Sequence, residues 1–221
     1  MKLYDCATAP SPRRVRIFAA EKGIDLEKVA VDLANGEQFG KKFREVNSDC
    51  VVPVLELSDG TRITEVLAIC HYLEERYPNP TLFGRSPEER ALVSMWNTKV
   101  EQQGLWAMVE AFRNSVKGLR DHALPGPAGF AQIPELALRG RKRVELFMEK
   151  LDRRLDGRGY VVGDIYTIAD ISAMVVMDFS AWIKIPLPDH AANLARWYEM
   201  VSSRPSATAY SYPPSRATPL L

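Results

Sequence analysis

Three short stretches of this chain gather residue types that can do chemistry. The first is Thr8-Ala9-Pro10-Ser11-Pro12-Arg13-Arg14-Val15-Arg16. The second is Val51-Val52-Pro53-Val54-Leu55-Glu56-Leu57, followed by Ser58-Asp59-Gly60 and then Glu65-Val66. The third is Phe112-Arg113-Asn114-Ser115. Proline has no amide to give to a ladder, so Pro53 must stand at a strand start, an edge or a bend. Glu65 stands where the apolar period becomes helical, with Val66, Ile69, Cys70 and Leu73 on one stripe. A helix start offers unpaired amides and a positive dipole end to a carboxylate, while Glu65 can pair with an ammonium. The same residues also suit a hairpin and helix in any small α/β domain. Ser11 suits an N-cap, with Pro12 at the first helical position.

The elements that must position these residues follow from pattern. Lys2 to Cys6 is a short apolar strand, and Val15, Phe18, Ala19 and Lys22 share a helix face that Gly23 ends. Leu26 to Asp32 is a second strand, and 35–47 holds a turn and a short helix. Val54 to Leu57, Asp59-Gly60 and Thr61 to Thr64 make a hairpin, and a helix runs to Tyr77. The first domain is therefore expected over 1–77 and a linker over 78–87. Beyond it strand signals almost vanish. Ser86-Pro87-Glu88-Glu89 caps a long helix carrying Leu92, Trp96, Val100, Leu105 and Val109. Leu136 to Leu155, Ile171 to Ile183 and His190 to Val201 complete a helical domain over 88–202. Thr167-Ile168-Ala169-Asp170 reads as a second capping box. The stretch 203–221, rich in proline, serine and alanine, is expected to be a poorly ordered tail.

Composition limits the function classes. A chain of 221 residues, 46% hydrophobic and 26% charged, has the make-up of a soluble globular protein that can bury a substantial core. The net charge of +1 asks for neither nucleic acid nor an anionic membrane. No apolar run approaches the roughly 18 residues of a membrane span, and the first residues do not begin a signal peptide. Cys6, Cys50 and Cys70 are odd in number and lack a Cys-x-x-Cys pair. A disulfide scaffold, a zinc site and a dithiol redox motif are thus unexpected, and a reducing cytoplasm is the expected compartment. His71, His122 and His190 show no metal spacing, so no metal is expected and they receive no role. Cys50 reads as a plain buried or loop cysteine in preference to a nucleophile.

Val52-Pro53, the hairpin and Glu65 at a helix start resemble the glutathione site of the soluble glutathione transferases. Gly163-Asp164 followed by Thr167-Ile168-Ala169-Asp170 resembles the buried capping motif of their second domains. The resemblance covers 1–202, with both motifs in the family's order. It implies a thioredoxin-like α/β domain (βαβαββα) followed by an all-α helical domain. It also implies a cis bond before Pro53 and glutathione as cosubstrate, held by Val52, Pro53, Glu65, Val66 and Gln38, the last at the glycine carboxylate. The Gln38 side chain is equally explained as a solvated loop residue. The implied activity is conjugation of the glutathione thiolate to small hydrophobic electrophiles by a cytoplasmic homodimer, in detoxification.

The chain departs from the family at two points. Where plant-type and zeta-type members carry a catalytic serine it has Ala9, and after Glu65 it has Val66 in place of serine. The pattern Ala-Pro-x-Pro-x-Arg-Val-Arg most resembles a bacterial and fungal branch without the usual catalytic Tyr, Ser or Cys, with distant zeta-like and theta-like similarity. Ser11 is the nearest hydroxyl for the thiolate, with N-capping as the equal alternative. Asn114 and Ser115 are candidates for positioning water, and Phe112, Arg113 and Trp182 for the electrophile pocket, with Trp106 and Met108 as further candidates. Two other readings remain open: a glutathione-dependent isomerase, disfavoured by the missing serine–cysteine motif, and a non-catalytic glutathione-binding or regulatory module.

Overall fold

The fold is described by a computed structural model over residues 1–208. The first part runs β1 (Lys2–Asp5), α1 (Pro10–Glu21), β2 (Glu27–Ala30), α2 (Lys41–Val46), β3 (Val54–Glu56), β4 (Arg62–Ile63) and α3 (Val66–Arg76), the expected βαβαββα order. The sheet order is β2-β1-β3-β4. β1 pairs parallel with β2 and antiparallel with β3, and β3 pairs antiparallel with β4. Leu57 donates to Thr61 across the hairpin, and the Asp59 carboxylate accepts the Thr61 amide at 2.9 Å. Gly60 takes the left-handed backbone, φ 85°, that such a turn requires.

The second part is helical: α4 (Pro87–Val100), α5 (Trp106–Arg113), α6 (Pro134–Arg154), α7 (Ile168–Trp182), α8 (Ala192–Ser202) and α9 (Pro205–Thr208). One helix was expected from Ser86 through Val109. A π-helical segment, Glu101–Leu105, instead interrupts it and leads into α5. Its Gly104 faces Phe147 and Val176 so closely that a Cβ would lie 2.9 Å from the Phe147 ring. At Gly140 of α6 a Cβ would come within 2.6 Å of the Ala111 amide, which is how α5 and α6 approach so closely.

The linker is tied to the first domain. The Lys22 ammonium donates to the carbonyls of Tyr77 and Pro80, each at 2.7 Å, and pairs with Glu74 at 2.6 Å. Glu74 in turn accepts from the Thr81 hydroxyl. The stretch expected to be a disordered tail contains α9, and Arg204 just before it and Ser206 within it bond Glu21 of α1. The remainder of that stretch, 209–221, lies outside the described residues.

One buried apolar cluster runs through both parts, from Leu3, Phe18 and Leu73 through Trp96 and Met108 to Phe147, Met174 and Trp197. Its floor includes Asp170, wholly buried, whose carboxylate accepts from the amides of Val161 (2.9 Å) and Thr167 (3.0 Å), the Thr167 hydroxyl and the Trp197 indole (2.9 Å). The acidic half of the expected capping box is therefore complete. The Thr167 hydroxyl donates to Asp170, and the Asp170 amide bonds the Thr167 carbonyl at 3.0 Å.

Candidate functional site

The sheet topology brings the first two chemical stretches to one edge. Tyr4 near the end of β1 pairs with Val54 at the start of β3, and Leu55 pairs with Ile63 of β4. The loop after β1, the Val52-Pro53 step before β3 and the start of α3 after β4 therefore share that edge. A small apolar cluster of Val31, Phe43, Val52 and Val54, with Tyr4, Cys6 and Ala9 packed on it, lies beneath them.

The Val52–Pro53 peptide is cis, as expected. Among the described residues no hydrogen bond takes the Val52 amide or carbonyl. Asn47 knits the chain just before it, donating to the Val51 carbonyl at 2.9 Å and accepting the Asp49 amide at 3.1 Å. Cys50 adopts φ 56° in this loop, a conformation that favours glycine, and its buried thiol faces the Ser48 carbonyl.

Glu65 is the N-cap of α3 at φ 63° and ψ 127°, outside the ordinary regions for a residue with a Cβ. Its exposed carboxylate forms no cap bond, and the amides of Val66, Leu67 and Ala68 have no partner among the described residues. The Val66 side chain is buried in the core, so this position contributes its amide. Three free amides with an unpaired carboxylate beside them can hold a carboxylate and an ammonium together.

At α1 the sequence expectation needs correcting. The helix starts at Pro10, with Ala9 as its N-cap, so Ser11 lies inside the first turn and does not cap. Pro10 and Pro12 have no amides, and the Arg13 amide bonds the Ala9 carbonyl. That leaves the amide of Ser11 as the free donor of this turn, with the Ser11 hydroxyl unbonded beside it among the described residues. The three arginines that follow fix its position. Arg13 bonds Asp178, which also takes the Tyr198 hydroxyl. Arg14 reaches Glu101 at 2.7 Å and Ser172 at 3.4 Å, and Arg16 bonds Asp5 and the carbonyls of Cys6 and Ala7.

The third stretch behaves differently from a cluster of free polar groups. Arg113 donates to the carbonyls of His122 (2.9 Å) and Leu124 (3.1 Å), and burial lowers its pKa from the ordinary value. Asn114 donates to the Glu110 carbonyl at 2.8 Å and accepts the Ile133 amide at 2.9 Å. The Ser115 hydroxyl donates to the Phe112 carbonyl at 3.1 Å. Their polar atoms thus close the end of α5 and fasten the loop between α5 and α6. Phe112, Phe179 and Trp182 form an aromatic cluster, with ring centroids 5.0–6.0 Å apart. Met108 is core, and Trp106 is 53% exposed.

The loop held by Arg113 returns to the first domain. His122 stacks on Phe39 at 5.1 Å with the rings 19° apart. Phe39 ends the 3₁₀ turn Glu37–Phe39, and its neighbour Gln38 has a buried Oε1 with no partner; the Nδ1 of His122 is likewise buried and unpaired. Nothing in the spacing of a lone histidine signals a contact made across two domains. Among the described residues no cluster of three or more His, Cys, Asp or Glu is able to hold a metal.

Comparison with known proteins agrees with this geometry. Residues 8–76 match the profile of the glutathione S-transferase N-terminal domain, and 107–205 match that of the C-terminal domain. Glutathione S-transferase 2 of Saccharomyces cerevisiae is 35% identical over 209 residues, 93% of this chain and 87% of that protein. The crystal structure of Gtt2 from the same yeast superimposes with a TM-score of 0.87 at 34% identity, over 95% of this chain and 100% of that one. A glutathione S-transferase domain-containing protein of Marinobacter aquaeolei gives 0.86 at 36%, over 93% and 99%. The maleylacetoacetate isomerase of Rattus norvegicus is 42% identical over 95 residues, 42% of this chain and 44% of that protein. With both domains matched in order, and a full-length relative above 30% identity, the chain belongs to the glutathione S-transferase family.

Proposed function

We propose that the protein binds glutathione along the Val52 backbone and the start of α3 and joins its thiolate to small hydrophobic electrophiles. The observation that carries this reading is the unpaired backbone of Val52 beside the cis Pro53, at the same sheet edge as the free amides of Val66 to Ala68. An extended cysteinyl backbone pairs with Val52, the γ-glutamyl carboxylate takes the α3 amides, and Glu65 takes its ammonium. The sulfur then faces the start of α1, where the Ser11 amide and hydroxyl stabilise the thiolate. The thiol proton leaves to solvent, the sulfur pair forms a bond to the electrophilic carbon, and the leaving group departs with its own pair. Trp182, exposed over the buried rings of Phe112 and Phe179, supplies an apolar surface for the electrophile. Arg113, Asn114 and Ser115 act by holding the loop that follows them.

The similarity of one segment to maleylacetoacetate isomerase supports a second reading, glutathione-dependent isomerisation. Thr8-Ala9 stands against it, since the serine–cysteine pair of that chemistry is absent. Three free cysteines support a reducing, cytoplasmic setting, and the exposed Leu92 and Met95 of α4, at 42% and 40%, support a homodimer. Retention on immobilised glutathione followed by turnover of an aryl halide tests the proposal. Retention with conjugation is expected. Retention with isomerisation alone favours the second reading, and retention with neither leaves a binding module.

A further inference from the structure

Helix α7 carries two charged residues, Asp170 and Asp178. The first is accounted for by the bonds at the start of the helix. Asp178 is not, because it lies toward the C-terminal end, where the helix dipole gives a carboxylate no support. Its partners stand on two other helices. One oxygen takes the Arg13 guanidinium of α1, and the other takes the Tyr198 hydroxyl of α8. Burial, with the bond to Asp178 adding to it, raises the Tyr198 pKa above the ordinary value for a phenol, so the hydroxyl keeps its proton and remains the donor. Arg13 belongs to the turn whose Ser11 amide is free. That turn is thinly tied along its own backbone: Pro10 and Pro12 have no amides, and the Arg13 amide reaches the Ala9 carbonyl at 3.3 Å, longer than the usual length of about 2.9 Å. Side chains of the helical domain hold it instead, Glu101 and Ser172 through Arg14 and Asp178 through Arg13. Trp182 stands one turn beyond Asp178 on α7. A single turn of α7 thus carries both the group that anchors the start of α1 and the ring proposed for the electrophile.

We propose that Asp178 and Tyr198 are positioning residues for the conjugation: through Arg13 they hold the first turn of α1, and with it the Ser11 amide and hydroxyl, in place against the sulfur. The inference rests on the glutathione reading above and extends it to α8. The reason to bring so remote a group into the mechanism is geometric. A hydrogen bond from the α1 turn to the thiolate weakens steeply when donor and acceptor are misplaced. The rest of glutathione is held by Val52 and the start of α3, without help from α1. Loosening Arg13 therefore acts on the thiolate and on the rate, and leaves glutathione affinity nearly untouched. An effect of charge would have the opposite sign. Asp178 offsets the Arg13 cation, so losing the carboxylate would by charge alone favour the thiolate, whereas loss of position disfavours it.

The test measures thiolate absorbance of bound glutathione against pH, glutathione affinity by calorimetry and turnover of an aryl halide. It uses wild type, Tyr198→Phe, Asp178→Asn, Arg13→Met and the double variant Arg13→Met with Tyr198→Phe, each with a thermal melt. Tyr198→Phe changes no charge. It is expected to raise the bound thiol's pKa by about 0.5 unit and to lower kcat about threefold, with glutathione Kd within about twofold of wild type. Asp178→Asn should raise the pKa further. With Arg13→Met already present, Tyr198→Phe should add nothing, because its route to the sulfur is gone. A thiol titration that stays fixed in Tyr198→Phe, whatever its melt, overturns the inference while leaving the glutathione reading intact. A pKa that falls in Asp178→Asn does the same, and so does an equal effect of Tyr198→Phe with and without Arg13. A wild type that binds no glutathione overturns the glutathione reading and this inference with it.

Discussion

At the residue scale, Ser11 separates two roles that look alike in sequence. A serine between prolines at a helix start suits an N-cap, yet Pro10 fixes φ one residue earlier and Ala9 takes the cap position without a side-chain bond. Ser11→Ala should therefore leave stability within about 0.5 kcal/mol of wild type, since no cap is lost. If the hydroxyl donates to sulfur, the same change removes one hydrogen bond of about 1 kcal/mol, raising the bound thiol's pKa by about 0.7 unit. Thiolate absorbance of bound glutathione against pH, with melts alongside, reads both. An unshifted titration would leave the thiolate to the Ser11 amide alone. Pro53 and Glu65 were legible because proline in a β run and an acid at a change of period leave local signatures. The polar trio at 113–115 was legible as polar but not as occupied, because its partners are backbone carbonyls and an amide of a loop that local pattern does not position.

At the element scale, α7 depends on the buried Asp170. Burial raises its pKa to about 6, against the hydrogen bonds from Val161, Trp197 and Thr167 that favour the carboxylate. The folded state thus keeps the proton up to about pH 6, whereas the unfolded chain releases it near the ordinary value of 3.8. Between those values the native state binds the extra proton, so stability from this group is greatest below the window and falls as pH rises through it, by about 3 kcal/mol in all. Asp170→Asn lacks this titration. The stability difference, wild type minus variant, should therefore decline from pH 4.5 to 7 in urea unfolding; a flat or rising difference contradicts the assignment. The capping sequence itself was legible, because its partners are three residues apart. The π-helical turn at Glu101–Leu105 was not, since the tight packing of Gly104 against Phe147 and Val176 belongs to other helices.

At the scale of the whole molecule, one core and the ties of α1 to the helical part make the two domains a single unit. Arg13 bonds Asp178, Arg14 pairs with Glu101, and Glu21 holds Arg204. All four tryptophans lie in the second domain, while Cys70 is fully buried in the first, its thiol pKa pushed up by burial. Tryptophan fluorescence and Cys70 labelling should report coincident denaturant midpoints, as one cooperative transition requires. Separated midpoints would show that the domains unfold independently. The two-domain order was readable from the change of periodicity after Gly84. The reach of the His122 loop to Phe39 was not, because it exists only once both domains are packed.

The central claim is that glutathione lies along Val52 with its γ-glutamyl end at the start of α3. Calorimetric titration of glutathione into wild type and Glu65→Ala tests it most directly, because the exposed Glu65 carboxylate has no other partner among the described residues to lose. The loss of a charge-assisted bond to the ammonium should weaken binding by at least about 1.5 kcal/mol, roughly tenfold in Kd, with the melting temperature of the free protein little changed. Glutathione binding of wild-type affinity in Glu65→Ala would contradict the account and put the ligand elsewhere on the molecule.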